Sequence, residues 1–112
     1  MAFIRRRLSG PKSGRYNHQI LESYRDDGKV KHRVVYSLGR APTIAKAIEN
    51  AQFGWALFHD GRWPPAYLER DYGRDIPPRL LEEAERKRDA TLRDYEQRIT
   101  ELQRLQQLYP NL

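Results

Sequence analysis

The sequence predicts an α+β protein. An N-terminal three-stranded antiparallel sheet packs on a helix, and an irregular connector and a long C-terminal helix follow. Three observations predict this fold. Residues 15–38 alternate in polarity around one Asp-Gly pair, which is typical of a β-hairpin. From residue 43 onward, apolar residues recur at helical spacing. The last third, from Pro78, is rich in Glu, Arg, Leu and Gln, and Pro is favoured at the start of a helix.

The strands are predicted from alternation and from the turn. The first strand covers residues 2–8, and the hairpin strands cover residues 16–26 and 29–38. Asp27-Gly28 lies between them and supplies the positive φ angles of a two-residue type I′ turn. This register predicts four cross-strand pairs: Asp26 with Lys29, Tyr24 with Lys31, Glu22 with Arg33, and Ile20 with Val35.

The two faces of the hairpin differ in polarity. The face that holds these four pairs is polar and includes opposite charges across the strands. We predict that it faces solvent. The other face is more apolar, and we predict that it lies on the core. Its members are Leu21, Ser23, Arg25, Val30, His32, Val34 and Tyr36.

A helix of about 16 residues follows the hairpin. Thr43 is its predicted N-cap, and Asp60-Gly61 ends it. The connector over residues 61–78 is rich in Pro and Gly, but it is too apolar for a free linker, so we expect it to pack against the body. Four aromatic residues in this region are predicted to be core at this spacing: Phe53, Trp55, Phe58 and Trp63.

The predicted domain organisation has three parts. Residues 1–60 form a basic sheet with its helix, residues 61–78 the packed connector, and residues 79–112 the C-terminal helix. An apolar stripe of two heptads runs along that helix. We predict that this stripe mediates an interaction, most simply a homodimer, through Leu92, Tyr95, Ile99 and Leu102. The alternative is that the helix folds back on its own chain.

Positive charge is concentrated in the first third of the chain. The formal net charge is +6; residues 1–40 carry ten Lys or Arg against three acidic residues, a net of +7. A localised excess is typical of a polyanion-binding surface. We therefore predict that these ten cations and one tyrosine bind nucleic acid: Arg5, Arg6, Arg7, Lys12, Arg15, Tyr24, Arg25, Lys29, Lys31, Arg33 and Arg40.

The hairpin also resembles a known family. The residues that carry the resemblance are Glu22-Ser23-Tyr24-Arg25, Gly28-Lys29 and Leu38-Gly39-Arg40. They occur at the same spacing in the opening of many DDE-type insertion-sequence transposases, and in short mobile-element and phage-associated proteins. The resemblance covers residues 1–40 and implies DNA binding. Residues 41–112 are too few for the RNase-H-like catalytic fold of that family, so it does not imply strand transfer.

The sequence favours neither a catalytic site nor a cofactor. It has no Cys, and its three His lack metal-ligand spacing, so no metal site is expected. We find no Gly-rich phosphate loop and no nucleophile motif, and we expect no enzyme and no cofactor. No stretch approaches the roughly 20 apolar residues that span a bilayer. We therefore expect a cytoplasmic protein without a membrane partner.

These observations predict a non-catalytic accessory protein of a mobile element or phage. Its basic sheet would contact phosphates and bases, with duplex DNA favoured over RNA. One alternative is a protein–protein interaction module whose basic sheet docks on an acidic protein. Another is an RNA-binding component of a ribonucleoprotein. The salt dependence of binding and competition between single-stranded RNA and duplex DNA separate the three.

Overall fold

A computed structural model describes residues 1–8, 10 and 14–112. The elements are β1 (Ala2–Leu8), β2 (Tyr16–Asp26), β3 (Lys29–Gly39), α1 (Ile44–His59), α2 (Ala66–Tyr72) and α3 (Pro78–Leu108). The strands form one antiparallel sheet in the order β1-β2-β3. The predicted α+β class, with a sheet first and helices after it, is confirmed.

The β2–β3 hairpin turns at Asp27 and Gly28. Their φ angles of 50° and 76° are both positive, as a type I′ turn requires. The register beside the turn is as predicted, but the pairing of Ile20 with Val35 is wrong. Ile20 lies opposite Tyr36, because a bulge at Val35 places one extra residue in β3.

The end of the hairpin nearest the turn lies outside the core. Residues 24–34 are all exposed, so both faces of the ribbon meet solvent there. The prediction that the more apolar face lies on the core is therefore wrong for Val30 and Val34, which are 60% and 52% exposed. The core is reached only at the far end of the ribbon, where Ile20 and Leu21 are 0% and 2% exposed.

The first helix begins and ends as predicted. The Thr43 hydroxyl accepts a hydrogen bond from the Lys46 backbone N–H at 3.1 Å, which is N-cap geometry. The predicted irregular connector is wrong in one respect, because it contains α2. Pro64 and Pro65 precede this helix, where Pro is tolerated, and Gly73 ends it at a φ of 62°. Its Leu68 is buried, as a packed connector requires.

The last helix is 31 residues long and begins at Pro78, as predicted. Within the described residues, no helix is long and apolar enough to cross a membrane.

The chain divides into two compact units. Unit 1 comprises residues 1–50 and 100–112, and unit 2 comprises residues 51–99. Both α1 and α3 contribute to both units, so the units do not follow the predicted boundaries at residues 60 and 78. Unit 1 contains the sheet and the five largest fully buried side chains: Ile20, Leu38, Ile44, Leu102 and Leu105.

The chain end belongs to unit 1 and is tied to the start of α1. The Ile44 backbone N–H donates a hydrogen bond to the Leu112 carbonyl oxygen at 3.3 Å. Unit 1 is therefore built from both the N-terminal and the C-terminal parts of the sequence.

Candidate nucleic-acid interface

The excess positive charge of the chain belongs to unit 1. That unit carries 12 Lys or Arg against five Asp or Glu, a net of +7, whereas unit 2 carries nine against ten, a net of −1. All eleven predicted nucleic-acid-binding residues belong to unit 1, and ten of them are among the described residues. Lys12 lies outside the described residues.

The sheet separates most of these residues onto two faces, because successive side chains of a strand point to opposite sides. The first, which we call the ion-paired face, consists of Arg6, Glu22, Tyr24, Asp26, Lys29, Lys31 and Arg33. The second, the arginine face, consists of Phe3, Arg5, Arg7, Gln19, Leu21, Ser23, Arg25, Val30, His32 and Val34.

On the ion-paired face, two cations are held by carboxylates. Lys31 Nζ lies 2.8 Å from Asp26 Oδ2, and Arg33 Nη2 lies 2.9 Å from Glu22 Oε2. The hydrogen bond and charge of Glu22 raise the pKa of Arg33 above its ordinary value, with a smaller contribution from Tyr109. The Arg33 guanidinium also lies 5.8 Å from the ring centroid of Tyr24. Two of the predicted binding residues on this face, Lys31 and Arg33, are therefore engaged with carboxylates of the same face.

The arginine face has a different composition. Arg5, Arg7 and Arg25 are exposed on it, and no acidic side chain of the three strands shares this face. Arg5 Nη2 donates to Gln19 Oε1 at 3.4 Å. Among the described residues, no ion pair involves any of these three arginines.

The same face carries a row of side chains from β3: Val30, His32 and Val34. His32 Nδ1 lies 3.1 Å from Ser23 Oγ, and its ring is nearly perpendicular to that of Phe3 at a centroid distance of 5.4 Å. Sequence reasoning placed this row on the core and so missed it as a candidate interface. Arg25 lies on the face assigned to the core, and its charge indicated that this face meets solvent.

The remaining predicted cations lie beside the sheet. Arg15 precedes β2 and Arg40 follows β3, and both are exposed. Arg6, which belongs to the ion-paired face, lies over the ring of Tyr16, with its guanidinium carbon 4.1 Å from the ring centroid. The structure therefore does not gather the eleven residues into one patch. It distributes them over two faces and the ends of two strands.

Unit 2 has a separate groove of about 350 Å³. None of the eleven predicted residues lines it. Phe58 and Trp63 do, and they are 46% and 42% exposed; Phe53 is 66% exposed. The prediction that these three aromatic residues are core is wrong. The Arg88 side chain donates hydrogen bonds to the carbonyl oxygens of Phe58 and His59, at the end of α1, at 3.1 and 2.6 Å.

The four residues of the predicted interaction stripe differ in burial. Leu102 is fully buried in unit 1. Tyr95 packs within unit 2, where its ring centroid lies 5.9 Å from that of Phe58. Leu92 and Ile99 are half-buried. Leu102 is therefore buried by its own chain.

Comparison with known proteins gives a match over part of the chain. No curated protein and no solved structure matches the chain. One family model does match, and it covers residues 4–55, from β1 through most of α1. The matched segment extends 15 residues past the point at which the sequence resemblance was predicted to end. Residues 4–55 are similar to the N-terminal domain of IS1634 family transposases, which confirms the resemblance of the opening to insertion-sequence transposases.

Proposed function

We propose that unit 1 binds duplex DNA as a non-catalytic part of a mobile element, with the hairpin end over residues 24–34 inserted in the major groove. The observation that carries this proposal is the exposure of all eleven residues of that hairpin end. A two-stranded ribbon fits the major groove, which is about 12 Å wide. The match to a transposase N-terminal domain supports DNA as the polyanion.

The charge of unit 1 supports the same proposal. A net charge of +7 on a unit of 63 residues attracts the phosphate backbone at long range, and each neutralised phosphate releases counterions. Phosphate contacts position a protein on DNA, whereas base edges are read from the grooves. The basic ribbon provides both kinds of group.

The binding species proposed is a single chain. Leu102 and Tyr95, two of the four residues predicted to form a dimer interface, already pack within their own chain. The homodimer through α3 that the sequence predicts is the alternative to this species.

The test is the affinity for a duplex of arbitrary sequence, measured by fluorescence anisotropy over a series of salt concentrations. We expect log K to fall linearly with log salt, with a slope of about −0.9 for each phosphate contacted. A single-stranded RNA competitor should displace the duplex poorly. Affinity that is independent of salt would contradict the proposal, as would preferential binding of RNA. Binding of an acidic protein without binding of duplex DNA would favour the protein-docking alternative.

A matched pair of variants locates the site. Arg25→Gln with Lys29→Gln removes two exposed charges from the hairpin end, whereas Arg74→Gln with Arg79→Gln removes two exposed charges from unit 2. The hairpin variant should lose at least about tenfold in affinity, the range typical of base and phosphate contacts by Arg and Lys. Equal losses in the two variants would show that only the total charge of the chain matters.

A further inference from the structure

We infer that the arginine face of the hairpin, and not the ion-paired face, is turned toward the bases of the DNA. This inference rests on the proposed function and assigns the contacts within it. Arg25 would meet guanine edges, Val30 and Val34 would contact thymine methyl groups, and Arg5 and Arg7 would hold the phosphate backbone. The sequence had predicted that the polar face, which holds Lys31 and Arg33, meets solvent and that the other face lies on the core.

The first argument concerns the carboxylates. Glu22 and Asp26 lie on the ion-paired face, 2.9 and 2.8 Å from the cations that they neutralise. A phosphate that approaches Arg33 or Lys31 therefore also approaches a negative charge. Exposed ion pairs are weak, so they break at little cost, but the displaced carboxylates stay beside the DNA and repel it. This face attracts a polyanion less than its number of cations suggests.

The second argument concerns the arginine face, where no strand residue is acidic and the three arginines make no ion pair among the described residues. Arginine is the side chain that most often reads a guanine edge, through two parallel hydrogen bonds. Arg25 lies two residues before the turn, at the end of the ribbon that reaches deepest into a groove. The Arg25 guanidinium is therefore available to a guanine edge at the turn end of the ribbon.

The third argument concerns the apolar row on β3. Val30 and Val34 are 60% and 52% exposed, although burial of such side chains normally stabilises a fold. The thymine methyl group is the apolar feature of the major groove and is a partner for such side chains. In β1, Phe3 pairs with Leu21, which pairs with Val34, and Arg5 and Arg7 lie two and four residues further from the turn than Phe3. They are therefore displaced along the sheet from the row and would reach phosphates while the row faces the bases.

The row is also held in place before DNA arrives. His32 lies between Val30 and Val34, and contacts with Ser23 at 3.1 Å and with the Phe3 side chain fix its ring. A fixed ring loses less side-chain entropy on binding than a mobile one. The arginine face therefore combines unpaired cations, exposed apolar groups and a positioned imidazole, which together suit a base-reading surface.

The test compares two double variants that differ only in the face from which charge is removed. Arg5→Gln with Arg25→Gln acts on the arginine face, and Arg6→Gln with Lys29→Gln acts on the ion-paired face. Arg5 and Arg6 are neighbours in β1, and Arg25 and Lys29 flank the same turn. Each pair removes two charges, and neither leaves behind a carboxylate that has lost its ion-pair partner.

We expect the arginine-face variant to lose at least about tenfold more duplex affinity than the ion-paired-face variant. Circular dichroism and thermal melting should show both variants folded, because all four side chains are exposed. Equal losses, or a greater loss from the ion-paired face, would overturn the inference. Failure of the proposed function is a separate result, since wild-type protein would then show no salt-dependent duplex binding at all.

Base contact is tested by selection from a duplex pool with a randomised centre, followed by sequencing. Wild-type protein should enrich a preferred sequence, and Val30→Ala with Val34→Ala should weaken the preference at particular thymines. Replacing those thymines by uracil removes the C5 methyl group and should reduce wild-type affinity to the level of the variant. Enrichment of no sequence, or an unchanged preference in the Val variant, would overturn the base-edge contacts.

Discussion

Gly54 shows how a contact inside unit 2 restricts which residue can occupy one position of a helix. It lies within α1, where glycine normally destabilises a helix by about 0.5–1 kcal/mol relative to alanine. A Cβ at this position would lie 2.6 Å from Cε1 and 2.7 Å from Cζ of the Tyr95 ring. The ring thus occupies the space of a side chain, which explains why a residue of poor helix propensity stands here.

We therefore expect Gly54→Ala to lower the free energy of unfolding by about 1–2 kcal/mol, because the ring must move and overpacking outweighs the gain in helix propensity. Urea denaturation measures this change. In a Tyr95→Leu background the same substitution should be neutral or stabilising, since the ring is gone. A stabilising effect of Gly54→Ala in the wild-type chain would show that the close approach of Tyr95 does not exist in solution.

At the scale of the element, α3 shows why an apolar stripe does not by itself indicate an oligomer. The helix carries Leu102 and Leu105 at 0% and 1% exposure, whereas Leu108, one turn later, is 57% exposed. An isolated helix needs packing to be stable, and here part of the stripe is buried by the chain itself. The part of α3 that contributes to unit 1 thus supplies two of the fully buried side chains of that unit.

We expect Leu102→Ala to lower the free energy of unfolding by about 2–5 kcal/mol, because it removes a fully buried side chain and leaves a cavity. Leu108→Ala is the matched control and should change stability by less than about 0.5 kcal/mol. Light scattering should give the mass of one chain for both variants and for wild type. A wild-type dimer that becomes a folded monomer in Leu102→Ala would instead support assembly through this helix.

At the scale of the whole molecule, the excess positive charge and the groove lined by aromatic side chains belong to different units. Unit 1 carries a net charge of +7 and unit 2 a net charge of −1, and the groove with Phe58 and Trp63 belongs to unit 2. Long-range attraction of DNA therefore acts mainly on unit 1. Stability and DNA affinity should respond to different sets of substitutions.

Trp55 tests this division because it belongs to unit 2 but lies within the segment that matches the transposase domain. Its indole N–H donates to Glu96 Oε1 at 3.1 Å, and its ring stacks on His59 at a centroid distance of 4.5 Å. We expect Trp55→Ala to lower the free energy of unfolding by about 1–3 kcal/mol while duplex affinity at a temperature where the variant is folded stays unchanged. Thermal melting and anisotropy measure the two. Unchanged stability with lost affinity would place Trp55 on the binding surface.

Most of the fold follows from local sequence patterns. Asp27-Gly28 determines the turn and, with it, the pairing of Glu22 with Arg33, because two successive positive φ angles favour one hairpin geometry. Thr43 marks the start of α1 through a hydrogen bond three residues away. Such interactions are contained in a few consecutive residues. The helix α2 was missed because Pro64-Pro65 indicates a loop and a helix start equally well.

The candidate site was predicted only in part, for a physical reason. The number and location of the cations are properties of the sequence, and so are the two sets of residues that alternate along each strand. Which set meets solvent depends on how far the core extends under the hairpin. The core of unit 1 includes residues remote in sequence from the hairpin, such as Leu102 and Leu105, so the extent of the core is not contained in the hairpin sequence.

The sequence by itself therefore determined the strand order of the hairpin, the helix boundaries at Thr43 and Pro78, and the concentration of positive charge in the first forty residues. These features arise from backbone conformation and composition, which act locally. Only the tertiary structure decided that residues 24–34 are exposed on both faces of the hairpin and that Leu102 is buried by its own chain. These features arise from packing and from pairing across strands, which depend on the whole folded chain.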